Sequence, residues 1–336
     1  MKYLSLFSGI GGFELGIHDA FPEAECVGYS EIDKHAIKVY QSHFQEHKNY
    51  GDIKDVNINS LPDFDMLVGG FPCQDLSIAK ANRKGLDGDR SGLFWNMLDV
   101  LRTKKPRYFC FENVASMARK DRDIITNSLG VEPVMINAAL VSAQSRKRLF
   151  WCNWEVKQPE DKCLIVSDIL EENPSVAPLS EKHVMWLKSP SGKKRIDMGM
   201  LKINPEKAIT LTARGYLSWG GNYVMYPVRL GNINNSESQG NRIYSVLAKA
   251  VTLSANGGGL GAKTGIYLVY NGEYWILRML SPIECERLQC FPDDWTQLCK
   301  NTQRYKQLGN AVNVEVVKHI MNELRRNNES RNIICD

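Results

Sequence analysis

No run in the 336 residues approaches the roughly 18 uninterrupted apolar residues that a membrane-spanning helix needs. The opening Met1-Lys2-Tyr3-Leu4-Ser5-Leu6-Phe7 is too short an apolar run for a secretory signal, so the cytoplasm is the expected location. The nine cysteines are scattered, odd in number and contain no Cys-x-x-Cys pair, which argues against a disulfide framework and a zinc ribbon. Histidine is scarce. Of six, only His43 and His47 stand four apart, and no Glu follows His43 in the metalloprotease pattern. Two exposed histidines closing a helix are expected there, with no metal. Internal repeats are lacking, and the one biased tract is the Asn/Ser-rich 232–241. What is present is ordinary for a soluble globular chain: 43% hydrophobic and 24% charged residues. The length suits one large domain or a large one with a smaller companion.

The charge is unevenly spread. Residues 180–275 hold 12 Lys and Arg against 5 Asp and Glu, a local +7 within an overall +4, so the rest carries −3. The same segment has 13 of the 26 glycines, including Gly257-Gly258-Gly259, with Tyr and Trp scattered through it. A basic, glycine-rich, aromatic-dotted block in an otherwise acidic chain suits contact with a polyanion; a solvated basic face has the same composition.

Residues 1–150 alternate short apolar runs with helical spacing. Strands are expected at Tyr3–Phe7, Cys26–Tyr29, Met66–Val68, Tyr108–Phe111, Val134–Ala138 and Arg148–Cys152. Helices are expected after Gly12, over Ala36–Phe44 and around Leu93–Leu101. This alternation predicts an α/β fold with a mostly parallel sheet and crossover helices. Ligands in such sheets sit at the carboxyl ends of strands.

Four groups fall at those ends. Gly9, Gly11 and Gly12 follow the first strand, where a bare backbone lets a ligand approach, and Glu31 ends the second strand, about where a ribose-binding acid belongs. The spacing is not Gly-x-Gly-x-x-Gly, which disfavours NAD and FAD. Cys73 follows Gly69-Gly70-Phe71-Pro72, a loop that presents a thiol to the crevice, and Pro72 restricts the backbone there. Thiolates attack electrophilic carbon. Glu112 ends a strand with a carboxyl group. Arg146 and Arg148, two apart, share a side if that segment is extended. Nucleophile, acid and arginine pair together fit attack on a planar heterocycle.

These residues resemble, in order and over most of the chain, the DNA cytosine-5 methyltransferase family of bacteria and phages. Phe7-Ser8-Gly9-Ile10-Gly11-Gly12 resembles its S-adenosylmethionine motif, Asp52-Ile53 the adenine-contacting turn, and Phe71-Pro72-Cys73-Gln74 the nucleophile loop. Glu112-Asn113-Val114 resembles the acid motif and Gln144-x-Arg146-x-Arg148 the base-binding motif. Arg278-Met279-Leu280-Ser281 through Phe291-Pro292 resembles the motif that organises the recognition domain. Gln307-Leu308-Gly309-Asn310-Ala311-Val312 resembles the last motif, whose helix returns beside the first. Cys290 stands where the family commonly has glycine.

The resemblance implies a Rossmann-like sheet with helices on both faces, plus a smaller irregular, strand-containing target-recognition domain. It divides the chain into 1–178 (catalytic, first part), 179–276 (recognition), 277–304 (organising hinge) and 305–336 (a helix completing the catalytic domain). It implies that a cytosine is swung out of duplex DNA. Cys73 then adds to its carbon 6, Glu112 contacts nitrogen 3, and Gln144, Arg146 and Arg148 hold the base. Carbon 5 receives the methyl group. S-adenosylmethionine is the implied cofactor, becoming S-adenosylhomocysteine, against Phe7, Ser8, Gly9, Gly11, Gly12, Glu31, Ile32, Asp52, Ile53, Pro72, Leu93, Asn310 and Val312. Ser77, then Arg83, Lys84 and Arg90 on a closing loop over Ile78–Gly92, and Arg214, Arg229 and Arg242 in the basic block, are the implied DNA contacts. A monomer is expected. Duplex DNA is the implied partner, with a cognate restriction endonuclease as a genetic companion; the same chemistry on tRNA and a catalytically silent DNA-binding relative remain as alternatives.

Overall fold

A computed structural model describes residues 1–72, 92–171, 229–232, 242–253, 255, 264, 266–270 and 275–334. They divide into two compact units. The first comprises Met1–Ala138, Lys147–Glu160 and Ala311–Asp336, and the second Ala139–Arg146 and Asp161–Asn310. Ala139–Arg146 thus groups with Asp161–Asn310, while Lys147–Glu160 between them belongs to the first unit.

In the first unit, β1 (Lys2–Leu6), β2 (Glu25–Ser30), β3 (Met66–Gly70), β4 (Tyr108–Val114), β5 (Val134–Asn137) and β6 (Lys147–Cys152) form one sheet. Their order is β2-β1-β3-β4-β6-β5. The pairs β1–β2, β1–β3 and β3–β4 are parallel, and β6 is antiparallel to both β4 and β5. The crossovers carry α1 (Gly12–Ala20), α2 (Lys34–His43), α3 (Leu93–Lys104) and α4 (Arg119–Leu129). From β1 the chain goes to one side for β2 and to the other for β3. The carboxyl ends of β1 and β3 thus flank the switch point at which such sheets bind ligands.

Period-two alternation sets the two faces. Leu4, Leu6, Leu67, Phe109 and Phe111 pack with Phe94, Met97 and Leu98 of α3 and Ile125 of α4. Each such side chain contributes roughly 1.5–3 kcal/mol by leaving water. On the opposite face the Tyr3 hydroxyl meets His18 of α1 at 3.1 Å. There α1 packs closely on α7 (Val314–Ile334): a Cβ on Gly16 would come 2.7 Å from Val317, so only glycine permits the approach. The last helix returns beside the first, as expected. Among the described residues no helix is long and apolar enough to cross a membrane.

The second unit holds a four-stranded sheet, β10-β9-β8-β7, made of β7 (Arg229–Asn232), β8 (Arg242–Ser245), β9 (Ile266–Tyr270) and β10 (Trp275–Met279). After it come α5 (Pro282–Leu288) and α6 (Asn301–Asn310). The organising motif is built around a buried ion pair. Arg278 donates to both Glu284 oxygens at 2.7 Å, with the two side chains 1% and 0% exposed. Ser281 and Glu284 also form the capping box that starts α5. Removing one partner of such a pair costs about 3–5 kcal/mol, because the other charge is stranded.

Candidate active site

At the end of β1 the backbone takes an unusual path. Phe7, Gly9 and Gly11 have φ of 56°, 58° and 90°. The left-handed region is open to glycine, but Phe7 adopts it under strain. The turn leaves Gly9 N–H pointing at Glu31, whose Oε2 accepts it at 2.9 Å. The other Glu31 oxygen accepts from the N–H groups of Ile32 and Asp33, each at 2.8 Å. Glu31 therefore ties the ends of β1 and β2 together. Ile32 beside it is 66% exposed, an apolar side chain presented to solvent. Asn49 braces the same corner: its Oδ1 accepts from Gly51 N–H and its amide donates to Glu31 O. The Asp52 carboxylate caps its own turn by accepting from Lys54 N–H, with Ile53 buried behind. Ser8 and Gly12 are buried, while Phe7, Leu93 and Pro72 are half-buried. Val312 is buried in the first unit; Asn310, the last residue of α6, is an exposed residue of the second.

The carboxyl ends of β3 and β4 make the second half of this crevice. Gly70 is paired with Glu112 in the parallel ladder. A Cβ on Gly70 would lie 2.8 Å from Glu112 Oε2, so the carboxylate occupies the space over the strand end. Arg148 of β6 reaches it: Nε to Glu112 Oε1 is 2.8 Å, with the two side chains 16% and 14% exposed. Phe71 packs on Phe94 with ring centroids 5.3 Å apart, and its carbonyl accepts from the Asn113 amide at 3.0 Å. The chain then enters Pro72.

Cys73, Ser77, Arg83, Lys84, Arg90 and Arg214 lie outside the described residues. For Arg229 only the backbone on β7 is described. Arg242 is 6% exposed on β8, so it is packed inside its unit rather than displayed.

The two arginines expected on one side are differently employed. β6 begins at Lys147, so Arg146 precedes the strand and the alternation does not apply to it. Its guanidinium is buried, donating to Gly309 O at 2.9 Å and to Leu253 O at 3.4 Å. Gln144 is also fully buried, accepting from Leu253 N–H at 3.3 Å and donating to Leu288 O at 3.5 Å. Both side chains brace the second unit, in a strap where Ser145 N–H donates to Ala250 O and Lys249 Nζ to Ser142 O.

Sequence reasoning missed a buried polar cluster behind the glycine turn. Glu14 on α1 accepts from the Tyr40 hydroxyl at 3.1 Å, and Tyr40 also shares a 3.0 Å hydrogen bond with His47 Nδ1. His47 stacks on Phe44 at 5.1 Å, so of the two histidines expected at the surface only His43 is exposed. Burial pushes Glu14 up to about 7 and His47 down to about 4. The signal available was Glu14 itself, a charged residue on the apolar side of a helical pattern.

The chain is similar to known proteins along nearly its full length. The model of the C-5 cytosine-specific DNA methylase family matches residues 1–326. The type II methyltransferase M.HhaI of Haemophilus parahaemolyticus is 33% identical over 339 residues, covering 95% of this chain and 93% of that protein. M.NlaX of Neisseria lactamica is 30% identical over 341 residues, with 96% of each covered. Among solved structures, the Entamoeba histolytica methyltransferase EhMeth superposes with a TM-score of 0.67 at 18% identity, covering 97% of this chain and 98% of that one; that likeness is one of fold. Glycine turn, strand-end carboxylate and full-length similarity agree, and the chain belongs to the C-5 cytosine-specific DNA methylase family as a cytosine-5 DNA methyltransferase.

Proposed function

We propose that this protein methylates cytosine at a specific site in duplex DNA through transient addition of Cys73 to the ring. The observation that carries the reading is the Glu112–Arg148 pair at 2.8 Å, lodged over Gly70, three residues before Cys73. Glu112 is held where it can meet the edge of a planar base, and Arg148 fixes its orientation. A base within a duplex is out of reach, so the cytosine must leave the stack.

The Cys73 thiolate then forms a bond to carbon 6, with Glu112 holding a proton at nitrogen 3 so that the added electron density rests on the ring. Carbon 5 becomes nucleophilic and is methylated. Loss of its proton restores the double bond and expels the thiolate.

The family implies S-adenosylmethionine, which supplies an electrophilic methyl group when bound. The residues at the end of β1 suit it. A Cβ on Gly9 would meet nothing within 4 Å, leaving room for close approach. Glu31 is anchored by three backbone N–H groups, in position to accept from ribose hydroxyls. Ile32 offers an exposed apolar surface for adenine. Asp52, Ile53, Leu93 and Val312 complete the proposed set within the first unit. Lys and Arg of the basic block would supply phosphate contacts, and a few side chains there would choose the sequence. We place the protein in the cytoplasm as a monomer.

The test is methyl transfer from labelled S-adenosylmethionine to duplex DNA and to tRNA, with bisulfite sequencing to map the site. Transfer to DNA, its loss in Cys73→Ser with DNA binding retained, and a covalent adduct on 5-fluorocytosine are expected, since fluorine cannot leave as a proton does. Transfer to tRNA alone would overturn the substrate, and methylation by Cys73→Ser would overturn the mechanism.

A further inference from the structure

We propose that Asn113 is a positioning residue for the nucleophile, acting through the Phe71–Pro72 peptide; the proposal rests on the reading of Cys73 given above. The β3–β4 ladder ends at the pair Gly70–Glu112. Phe71 is the next residue, and Pro72 brings no N–H of its own. At that point Asn113, 1% exposed, turns its side chain into an additional rung. Its Nδ2 donates to Phe71 O at 3.0 Å, while its Oδ1 accepts from Val114 N–H at 2.8 Å. The amide is therefore clamped at one end by β4 and grips the departing strand at the other.

The gripped carbonyl belongs to the Phe71–Pro72 amide, so its direction sets the plane of the peptide leading to Cys73. The Phe71 ring is held independently against Phe94 of α3. With the ring fixed and Pro72 locked in φ, rotation about the Phe71 Cα–C bond is the principal remaining freedom, and the Asn113 hydrogen bond removes it. Glu112 and Asn113 are adjacent on β4, so one strand end orients both the acid and the approach to the thiol. A misplacement near 1 Å costs about a hundredfold in rate when reacting groups must meet in fixed geometry.

Asn113→Asp keeps the shape and the oxygen that accepts from Val114 but sets a carboxylate oxygen against the Phe71 carbonyl. Asn113→Ala removes the grip altogether. Each is compared with wild type and with Cys73→Ser for turnover, for the rate of adduct formation on duplex DNA carrying 5-fluorocytosine at the bisulfite-mapped site, for affinity toward that DNA and S-adenosylmethionine, and for thermal midpoint. Expected is a fall of about a hundredfold in both adduct formation and turnover, with both affinities within about threefold of wild type. Rates within about threefold of wild type in the two Asn113 variants, alongside an inactive Cys73→Ser, would overturn the role of Asn113 and leave the nucleophile standing. An active Cys73→Ser would overturn the nucleophile itself. Losses of rate that merely track equal losses of binding and thermal midpoint would mark Asn113 as ordinary packing and overturn the proposal.

Discussion

The Glu112 carboxylate stands where a side chain on Gly70 would otherwise be, with 2.8 Å between its Oε2 and an ideal Cβ at that position. The glycine at the end of β3 is thus required by an acid on the neighbouring strand. Gly70→Ala is expected to turn the carboxylate aside and strain its contact with Arg148. Methylation should fall tenfold to a hundredfold, the scale of a displaced reacting group. Because the intruded atom is the far end of a flexible side chain, the urea midpoint should hardly change. Initial rates and urea melts on the same preparation check both halves.

Arg146 and Arg148, two residues apart, should fail in different ways. Arg148→Met removes the partner of Glu112 and is expected to lower turnover by about 10²–10³-fold, as loss of a preorganised charge does, with little change in stability. Arg146→Met strands buried carbonyls of Leu253 and Gly309, at about 1–3 kcal/mol each, so its signature is a lowered unfolding midpoint. Equal stability losses in the two variants would contradict this division.

Cys290 has φ of 61° just after α5, in the left-handed region that glycine occupies freely. Its N–H donates to Arg287 O at 3.0 Å, closing the helix. A non-glycine residue there costs about 1–2 kcal/mol, partly offset by the roughly 0.5–1 kcal/mol of extra chain entropy that glycine loses on folding. Cys290→Gly should stabilise the protein by about 0.5–1 kcal/mol, measured by denaturant unfolding, with methylation unaffected.

The Glu14 cluster sets opposing pH dependences. Glu14 ordinarily loses its proton near 4.5 but in the fold at about 7. Between those values the native protein keeps a proton the unfolded chain has shed, and stability falls as pH rises. His47 ordinarily gains a proton near 6.5 but in the fold only at about 4, so its contribution falls as pH drops through that window. Burial also lowers His18, which acts in the same sense as His47. Tyr3, Cys26, Tyr40 and Glu31 complete the neighbourhood. The slopes oppose one another between pH 4.5 and 6.5. His47→Gln should expose the Glu14 slope, a stability loss of up to about 1.4 kcal/mol per pH unit from 4.5 to 7. Glu14→Gln should show stability rising with pH from 4 to 6.5, less steeply because water screens the half-buried His47. Urea midpoints across pH 4–8 test both signs.

Much of this is legible in the sequence. Short apolar runs ending in glycine, Glu31 and Pro72 mark the strand ends, because parallel sheets gather chemistry there and alternation identifies their strands; β4 runs two residues past Glu112, to Val114. Arg146 does not share a side with Arg148 because the two-residue rule holds only within a strand, and β6 starts one residue later. The Cys290 strain was visible only as a departure from a family habit, since backbone torsion leaves no mark in composition. His47 departs from the expected exposure because its partial burial depends on Phe44 and Tyr40 folding back around it, a contact that periodicity does not encode. Spacing along the chain likewise does not encode the hydrogen bonds that tie Ala139–Arg146 to residues a hundred positions away.

The α1–α7 contact also bears on how the protein is made. Gly16 lies against Val317, so a chain emerging from the ribosome completes β1, α1 and the whole first sheet long before α7 arrives to cover them. For some three hundred residues of synthesis the apolar flank of α1 stays bare. The nascent protein must hold that surface against premature association, and its first unit reaches final form only after α7 has been made.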